Sequence, residues 1–420
     1  MWYKRAYWID LVERGWQRRS VVWLAGVRRS GKTVLCQSLP EVEYFDCELP
    51  SVRLRLRDPE TFLESLRDRR VILDEVHRLP DPSSVLKIAA DHFSGVRLLA
   101  TGSSTLEASA RFRDALVGRR EVVWLTPMIS SDLADFGSSD LLRRLERGGL
   151  PPFFLAEGVQ ERDYQDWLDA YWAKDLLALF RLEKRDSFLQ FTELLLGRSG
   201  SVFEASRYAR ECGVSHTTIR NYLSVLEATY VAHRLRPYSR RASTEIVAAP
   251  KVYGFDTGFV VRFRGWRELR EEDLGALWEH YVLNELHGRL QTRRLHYWRD
   301  KRGHEVDIVV PVPGQPPVAV ECKWRAAAFE PGGLLAFRRQ HPGGRNLVVA
   351  ADVNRPWAER YGPEVVEFVG LEGLVRALQA TLRGGEAQSQ PDSRSLTRQG
   401  PERPAAAIRR GDRARGMLRS

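Results

Sequence analysis

Gly26-Val27-Arg28-Arg29-Ser30-Gly31-Lys32-Thr33 is the stretch that decides the fold. It has the spacing of a phosphate-binding loop: two glycines that permit a tight turn, then a lysine and a hydroxyl residue. In such a loop Gly26 and Gly31 let successive N–H groups of Val27, Arg28, Arg29 and Ser30 face phosphate oxygens. Lys32 then reaches the β- and γ-phosphates, and the Thr33 hydroxyl ligates Mg²⁺. The flanks agree, since VVWLA before the loop reads as a strand and TVLCQSL after it as a helix. These eight residues are expected to bind ATP with Mg²⁺.

Working outward, five apolar runs alternate with helical stretches, at 20–26, 42–48, 69–75, 96–104 and 120–128. Their near-continuous apolar character predicts parallel strands covered on both faces, an α/β P-loop NTPase sheet. The run Val71-Ile72-Leu73-Asp74-Glu75 ends in two acids. Solvated strand ends often do, but with the loop upstream the pair acquires roles. Asp74 would hold Mg²⁺ through water, and Glu75 would polarise the attacking water as general base. The next strand ends in Thr101-Gly102-Ser103-Ser104, where Ser103 or Ser104 could sense the γ-phosphate. Phosphoryl transfer also needs a cation near the γ-phosphate, and Arg119 stands where the chain enters the last strand.

A chain of 420 residues exceeds what one core organises. The expected division is an ATPase region over 1–150, a helical and winged-helix region over 151–264, a smaller α/β region over 265–382 and a disordered basic tail over 383–420. The longest apolar runs fall far short of the ~20 residues that span a bilayer. The N-terminus carries no apolar signal segment, so no membrane association and a cytoplasmic location are expected. The four cysteines form no CxxC pair and read as buried thiols.

The net charge of +10 first suggests nucleic acid. Half of it lies in the tail, where nine arginines face four acids, so the folded part is only mildly basic. Only eight of the 65 basic residues are lysines, among them Lys32 and Lys323. A lysine that persists in so arginine-rich a chain is a candidate for a position where arginine's wide fork does not fit.

Better support for DNA comes from Ala205 to Glu227, which has helix–turn–helix form. Gly213 sits at the turn, Ser215 can cap the second helix, and Ile219, Tyr222, Leu223 and Leu226 give that helix an apolar face. His216, Thr217, Arg220 and Asn221 are left outward, residue types that read bases or hold phosphates. A three-helix unit packing against a protein partner would show the same pattern.

Further on, Asp307 lies in the strand Glu305 to Val310, and Glu321-Cys322-Lys323 ends the next. Period-2 alternation puts Glu321 and Lys323 on one face. Asp307 and Glu321 could bind Mg²⁺ and a water while Lys323 stabilises a hydroxide or a scissile phosphate. Glu279, on the helix from Leu277 to Leu290, could complete the site. An amphipathic hairpin with solvated charges would carry E-x-K equally well.

With these motifs in place the chain resembles a large family of prokaryotic AAA-type ATPases with a C-terminal domain of unknown function. The resemblance rests on the loop, on V-I-L-D-E-V, L-L-A-T-G-S-S and Gly148-Gly149-Leu150-Pro151, and on Pro250-Lys251-Val252-Tyr253. It extends through Trp278-Glu279, Gly303-His304-Glu305-Val306-Asp307 and Glu321-x-Lys323. It implies an ATPase sheet with an additional strand between the loop strand and the Asp74 strand. A winged helix and a restriction-nuclease-like fold should follow, with nuclease-type residues at Glu279, Asp307, Glu321 and Lys323. The sensor would fall at Ser103 or Ser104 and the arginine at Arg119. His77 departs from the family, which usually has glutamine there. Two readings stay open: an ATPase whose C-terminal half engages DNA and could cleave it with Mg²⁺, or a nucleotide-gated switch or scaffold that binds a protein partner without phosphodiester chemistry, with homo-oligomers possible in either.

Overall fold

The computed structural model describes residues 3–103, 106, 109–176, 184–239 and 249–389. Five strands form the first sheet: β1 (Val21–Ala25), β2 (Val42–Asp46), β3 (Arg70–Asp74), β4 (Arg97–Thr101) and β5 (Arg120–Trp124). All pair in parallel, in the order β2-β3-β4-β1-β5. β4 is the additional strand between β1 and β3 that the family resemblance implies. The five apolar runs thus become the five strands.

Both faces of this sheet are covered, which is why its strands are apolar without alternation. On one face the helix Ala6–Arg18 lays Trp8, Val12 and Trp16 at four-residue spacing over Val22, Leu24 and Leu99. On the other, Val21, Trp23, Leu73 and Ala100 enter a core that continues into Phe188, Phe191 and Tyr222 of the helical region. Parallel pairing brings the C-terminal ends of β1, β3 and β4 to one edge. The phosphate loop, Asp74 and Thr101 therefore meet there.

The second sheet has nine strands: β6 (Ser201–Val202), β7 (Ala232–Pro237), β8 (Lys251–Gly254), β9 (His296–Arg299), β10 (Glu305–Val312), β11 (Gln315–Lys323), β12 (Asn346–Ala350), β13 (Trp357–Tyr361) and β14 (Glu364–Val369). Their order is β13-β14-β12-β11-β10-β9-β7-β8-β6. The sheet thus runs across residue 264, joined by two parallel pairs, Arg236 with His296 and Pro237 with Tyr297.

The helix Glu271–Leu290 stands between the two sheets and is buried on almost every side, including Leu277, Trp278, Tyr281 and Leu286. Its polar residues fasten it to the segment after β5. Asn284 donates to the Pro127 carbonyl at 3.0 Å, and the Ser130 N–H donates to Glu285 at 2.8 Å.

One boundary moves. The last helix runs Leu371–Ser389, so residues 383–389, expected in the tail, are helical. Leu374 and Leu378 anchor that helix in the core, and an anchored helix propagates at little cost per residue. Residues 390–420 lie outside the described residues. All four cysteines are buried thiols. No helix among the described residues is long and apolar enough to cross a membrane.

Candidate functional site

The loop between β1 and the helix Lys32–Ser38 can be formed only with glycine at its two ends. Gly26 has φ +151°, and a Cβ there would stand 2.4 Å from the Leu125 carbonyl oxygen; Gly31 has φ +96°. Val27 and Ser30 are buried, Arg28 half-buried, and Arg29 exposed with φ 62°. Lys32 donates to the carbonyls of Gly26 at 2.9 Å and Val27 at 3.1 Å, so its ammonium lies over the loop. Thr33 opens the helix on the solvent side.

A buried ion pair fixes the loop from below. Arg5 donates to the Ser30 carbonyl at 2.9 Å while Asp132 holds its guanidinium at 2.6 and 2.8 Å. Sequence reading missed both residues, because 127 positions separate them.

The cleft above the loop measures about 420 Å³, and Arg28, Arg29, Lys32, Thr33, Glu75 and Ser103 are among its lining residues. Glu75 has left-handed backbone, φ 55°, which turns the chain as it leaves β3. Its Oε2 lies 3.0 Å from His77 Nδ1. Burial raises the Glu75 pKa, but His77 and the charge of Lys32 outweigh it and hold the carboxyl below its ordinary value. It is ionised at neutral pH, able to orient and polarise a water rather than to act as a strong base.

Asp74 sits deeper, 2% exposed. It accepts from Tyr44 Oη at 2.7 Å and from the Thr101 hydroxyl. Thr101 Oγ1 also receives the Glu75 N–H at 3.1 Å, so one hydroxyl at the end of β4 organises both acids. No spacing in the sequence marks Tyr44, and Thr101 stands at the end of β4 beside Gly102 and Ser103. Ser103 lines the cleft, and its backbone nitrogen lies 3.2 Å from His77 Nδ1, the ring nitrogen that also faces Glu75. Ser104 lies outside the described residues. His77 therefore links Glu75 to the end of β4.

Arg119 is not brought to this cleft. It pairs with Asp91 at 2.7 Å, at the edge where β1 and β5 begin, because Val21 pairs with Arg120. At about 3.3 Å per residue, five strand residues separate that edge from the loop.

Beside the loop lies an apolar hollow of about 420 Å³ lined by Tyr3, Val34, Phe136, Pro151 and Leu155. The Tyr3 and Phe136 rings stack at 4.4 Å.

The second expected cluster also assembles. Lys323 Nζ lies 2.9 Å from Glu321 Oε2 and 3.6 Å from Asp307 Oδ2, and Asp307 accepts the Cys322 N–H at 2.8 Å. Glu279 faces the same group and accepts from Tyr253 Oη at 2.5 Å. Unforeseen is Lys251 of β8, which pairs with Glu305 and lies 3.5 Å from Glu279. Burial pulls the Lys251 pKa down, but Glu279, Asp307 and Glu305 more than reverse this and leave it raised. Burial and the Asp307 charge push Glu279 and Glu321 up.

The two charged sites differ toward Mg²⁺. At the loop, phosphate oxygens and water would complete a coordination shell begun by Thr33 and Asp74, so few protein ligands suffice. In the second cluster Lys323 occupies the space between Asp307 and Glu321 that a bridging cation would take. With Lys323 in that place the group does not fit a metal. Among the described residues no group of three His, Cys, Asp or Glu side chains is placed to hold one.

A parallel sheet in this order, with the loop after β1 and the acids after β3, defines a P-loop ATPase of the AAA type. Residues 18–133 match an AAA domain, 138–270 a domain of unknown function (DUF8612) and 274–366 another (DUF4143). The chain is 33% identical over 318 residues to Rv2008c of Mycobacterium tuberculosis and to Mb2031c of Mycobacterium bovis, covering 73% of this chain and 70% of each relative. It belongs to this prokaryotic family of AAA-type proteins with a C-terminal domain of unknown function.

Among solved structures, a Walker-type ATPase of Pyrococcus abyssi shares 14% identity over 62% of this chain and 96% of its own, TM-score 0.40. AMPPCP-bound DnaA from Aquifex aeolicus shares 14% over 52% and 86%, TM-score 0.28.

Proposed function

We propose that this protein binds and hydrolyses ATP in the cleft above β1 and β3, and that its C-terminal half engages DNA. The observation that carries the ATPase reading is the common lining of one cleft by Lys32, Thr33, Glu75 and Ser103. Lys32 would exchange its two loop carbonyls for β- and γ-phosphate oxygens. Glu75, ionised and steadied by His77, would orient the attacking water. Arg28 and Arg29 supply positive charge from the loop itself. Mg²⁺, when bound, neutralises phosphate charge, and Thr33 and Asp74 are the residues that would hold it. The purine base would lie in the apolar hollow against Tyr3 and Val34.

The DNA reading is supported by the helices Ala205–Cys212 and His216–Ala228. Gly213 turns between them in left-handed conformation, and Ser215 accepts the Thr218 N–H at 3.1 Å as the second helix's cap. His216, Thr217, Arg220 and Asn221 are exposed, and the antiparallel pair β7 and β8 follows, the strands that would form a wing. The buried thiols suit a reducing compartment, the cytoplasm.

Metal-dependent cleavage of DNA is a second reading, favoured by the convergence of Asp307, Glu321 and Lys323 from adjacent strands. It requires Lys323 to leave the two carboxylates. The contrary reading, a nucleotide-gated scaffold for a protein partner, is favoured by the two lysines that already compensate the acids. Incubating plasmid with the protein, ATP and Mg²⁺ beside Asp307→Ala decides between them. Cleavage lost in the variant supports the nuclease, and intact plasmid in both supports the scaffold.

A further inference from the structure

We propose that the basic hollow at the β9–β10 turn, formed by Arg299, Lys301, Arg302 and Arg339, docks the phosphate backbone of duplex DNA beside the carboxylate–lysine cluster. The inference rests on the DNA reading above and gives it a surface other than the helix–turn–helix.

The hollow measures about 460 Å³ and contains one acid, Asp300. That acid is engaged in folding the turn. Its Oδ1 accepts the N–H groups of Arg302 at 2.8 Å and His304 at 3.0 Å, and its Oδ2 pairs with His304 Nδ1 at 2.8 Å. Among the described residues no carboxylate pairs with Lys301, Arg302 or Arg339, all three of them exposed. Among the described residues Arg299 has only a distant partner, Glu305 at 3.8 Å. Elsewhere on this arginine-rich surface many cations are matched, as in Arg18 with Glu121 or Arg69 with Glu43. Unmatched positive charge gathered in a concavity concentrates field and attracts polyanions.

The hollow is rigid. Arg339 lies on the helix Gly332–Gln340, whose start presses so closely on β10 that a Cβ at Gly333 would stand 2.2 Å from the Glu305 carbonyl oxygen. The neighbouring Arg338 is buried and bonded to the carbonyls of Pro317 and Arg345, which fixes the end of the helix and leaves Arg339 outward. On the other wall β10 passes directly from the basic turn to Glu305 and Asp307. A backbone held in the hollow would therefore lie against the cluster.

The lining also selects the partner. Its residues other than the charged ones and His304 are Ala336 and Gln340, with no aromatic or large apolar side chain. Protein interfaces are anchored by aromatic and apolar residues, and single strands by stacking on aromatic rings. Cations without such groups suit the phosphates of a duplex.

The test is duplex binding by the full chain, read by fluorescence anisotropy between 50 and 300 mM salt, against the triple variant Lys301→Ala, Arg302→Ala, Arg339→Ala. The expected result is an affinity at least tenfold weaker at low salt. The slope of log K against log salt should fall by about 2.7, near 0.9 per lost phosphate contact. ATP binding at the distant cleft should be unchanged, which confirms a folded variant, and Arg339→Ala alone should lower the slope by about 0.9. If wild type binds duplex and the triple variant binds it identically, the hollow is not the docking surface while the DNA reading stands. If wild type shows no salt-dependent duplex binding, the DNA reading fails and the hollow with it. Tighter binding of a single strand of equal length would overturn the choice of duplex.

Discussion

The backbone N–H of Gly149 donates to Asp256 Oδ2 across 2.6 Å, joining the rim of the nucleotide cleft to the turn that follows β8. Pro151 and Pro152, two and three residues after Gly149, line the cleft. Lys251 and Tyr253, just before Asp256, hold Glu305 and Glu279 in the second cluster. A short segment thus touches both charged sites. The fit is close: a Cβ at Gly149 would stand 2.3 Å from the Arg144 guanidinium, which donates to Thr257 at 3.0 Å.

Asp256→Ala should therefore destabilise the protein and weaken nucleotide binding together. Asp256 is buried and also accepts the Gly258 N–H at 2.9 Å, capping the helix Thr257–Phe263. Two buried donors left unpaired cost about 1–3 kcal/mol each. Asp256→Asn, with one carbonyl oxygen for two donors, should fall between. Thermal melts and titration with a fluorescent ATP analogue measure both effects; a loss of stability with unchanged nucleotide affinity would separate the rim from the turn.

Lys32→Ala should abolish ATP binding, whereas Glu75→Gln should retain binding and lower turnover by about 10²–10⁴-fold. Thr101→Val adds a finer test. It removes the hydroxyl between Asp74 and the Glu75 N–H at nearly constant volume, so turnover should drop while ATP still binds. Phosphate release assays beside equilibrium binding check all three. Unaltered turnover in Glu75→Gln would remove it as the water-orienting group.

The contrast between Thr101 and Ser103 shows what sequence can and cannot supply. The loop, the five strands and the acids after β3 were legible because their signals are local: fixed spacing, apolar runs, a strand ending in charge. Which hydroxyl at the end of β4 would face Asp74 depends on strand register, and no spacing states it. Lys251 belongs to the motif Pro250-Lys251-Val252-Tyr253, yet its partnership with Glu279 and Glu305 depends on β8 lying near the helix Glu271–Leu290. The continuity of the nine-stranded sheet was equally hidden. It passes through two residue pairs, too short a run for alternation to register.

Arg119→Ala should leave turnover unchanged at protein concentrations where the chain is monomeric. Its guanidinium is bound to Asp91 at the sheet edge opposite the loop, so it cannot reach a phosphate in its own cleft. If turnover per chain rises with concentration and the variant loses only that rise, Arg119 acts on a neighbouring copy. Loss of activity at all concentrations would instead mean the edge-on arrangement changes during turnover.

Acid should unfold the protein through three buried histidines. His280 and His287 have pKa values of about 4, lowered by burial, and His233 lies well below its ordinary value of 6.5 for the same reason. Their hydrogen bonds suit the neutral ring. His280 Nδ1 lies 2.8 Å from the Ala276 carbonyl and its Nε2 2.5 Å from Ser199 Oγ, so one nitrogen donates and the other accepts. His287 Nδ1 lies 2.8 Å from the Thr292 carbonyl, while among the described residues its buried Nε2 and the buried Nδ1 of His233 find no partner. A second proton on His287 Nε2 or His233 Nδ1 would be unsolvated, and one on His280 would be carried in a fully buried site. The unfolded chain binds those protons from about pH 6.5 downward and the folded chain does not. Stability is therefore full above pH 6.5 and declines as pH falls toward 4, by up to about 3 kcal/mol for each of His280 and His287. Urea unfolding at successive pH values should show this decline, and NMR of the ring protons should show no titration of these histidines down to pH 5 while the fold persists. A ring that titrates near 6.5 in the folded protein would contradict its burial at the junction of β7 and the helix Glu271–Leu290.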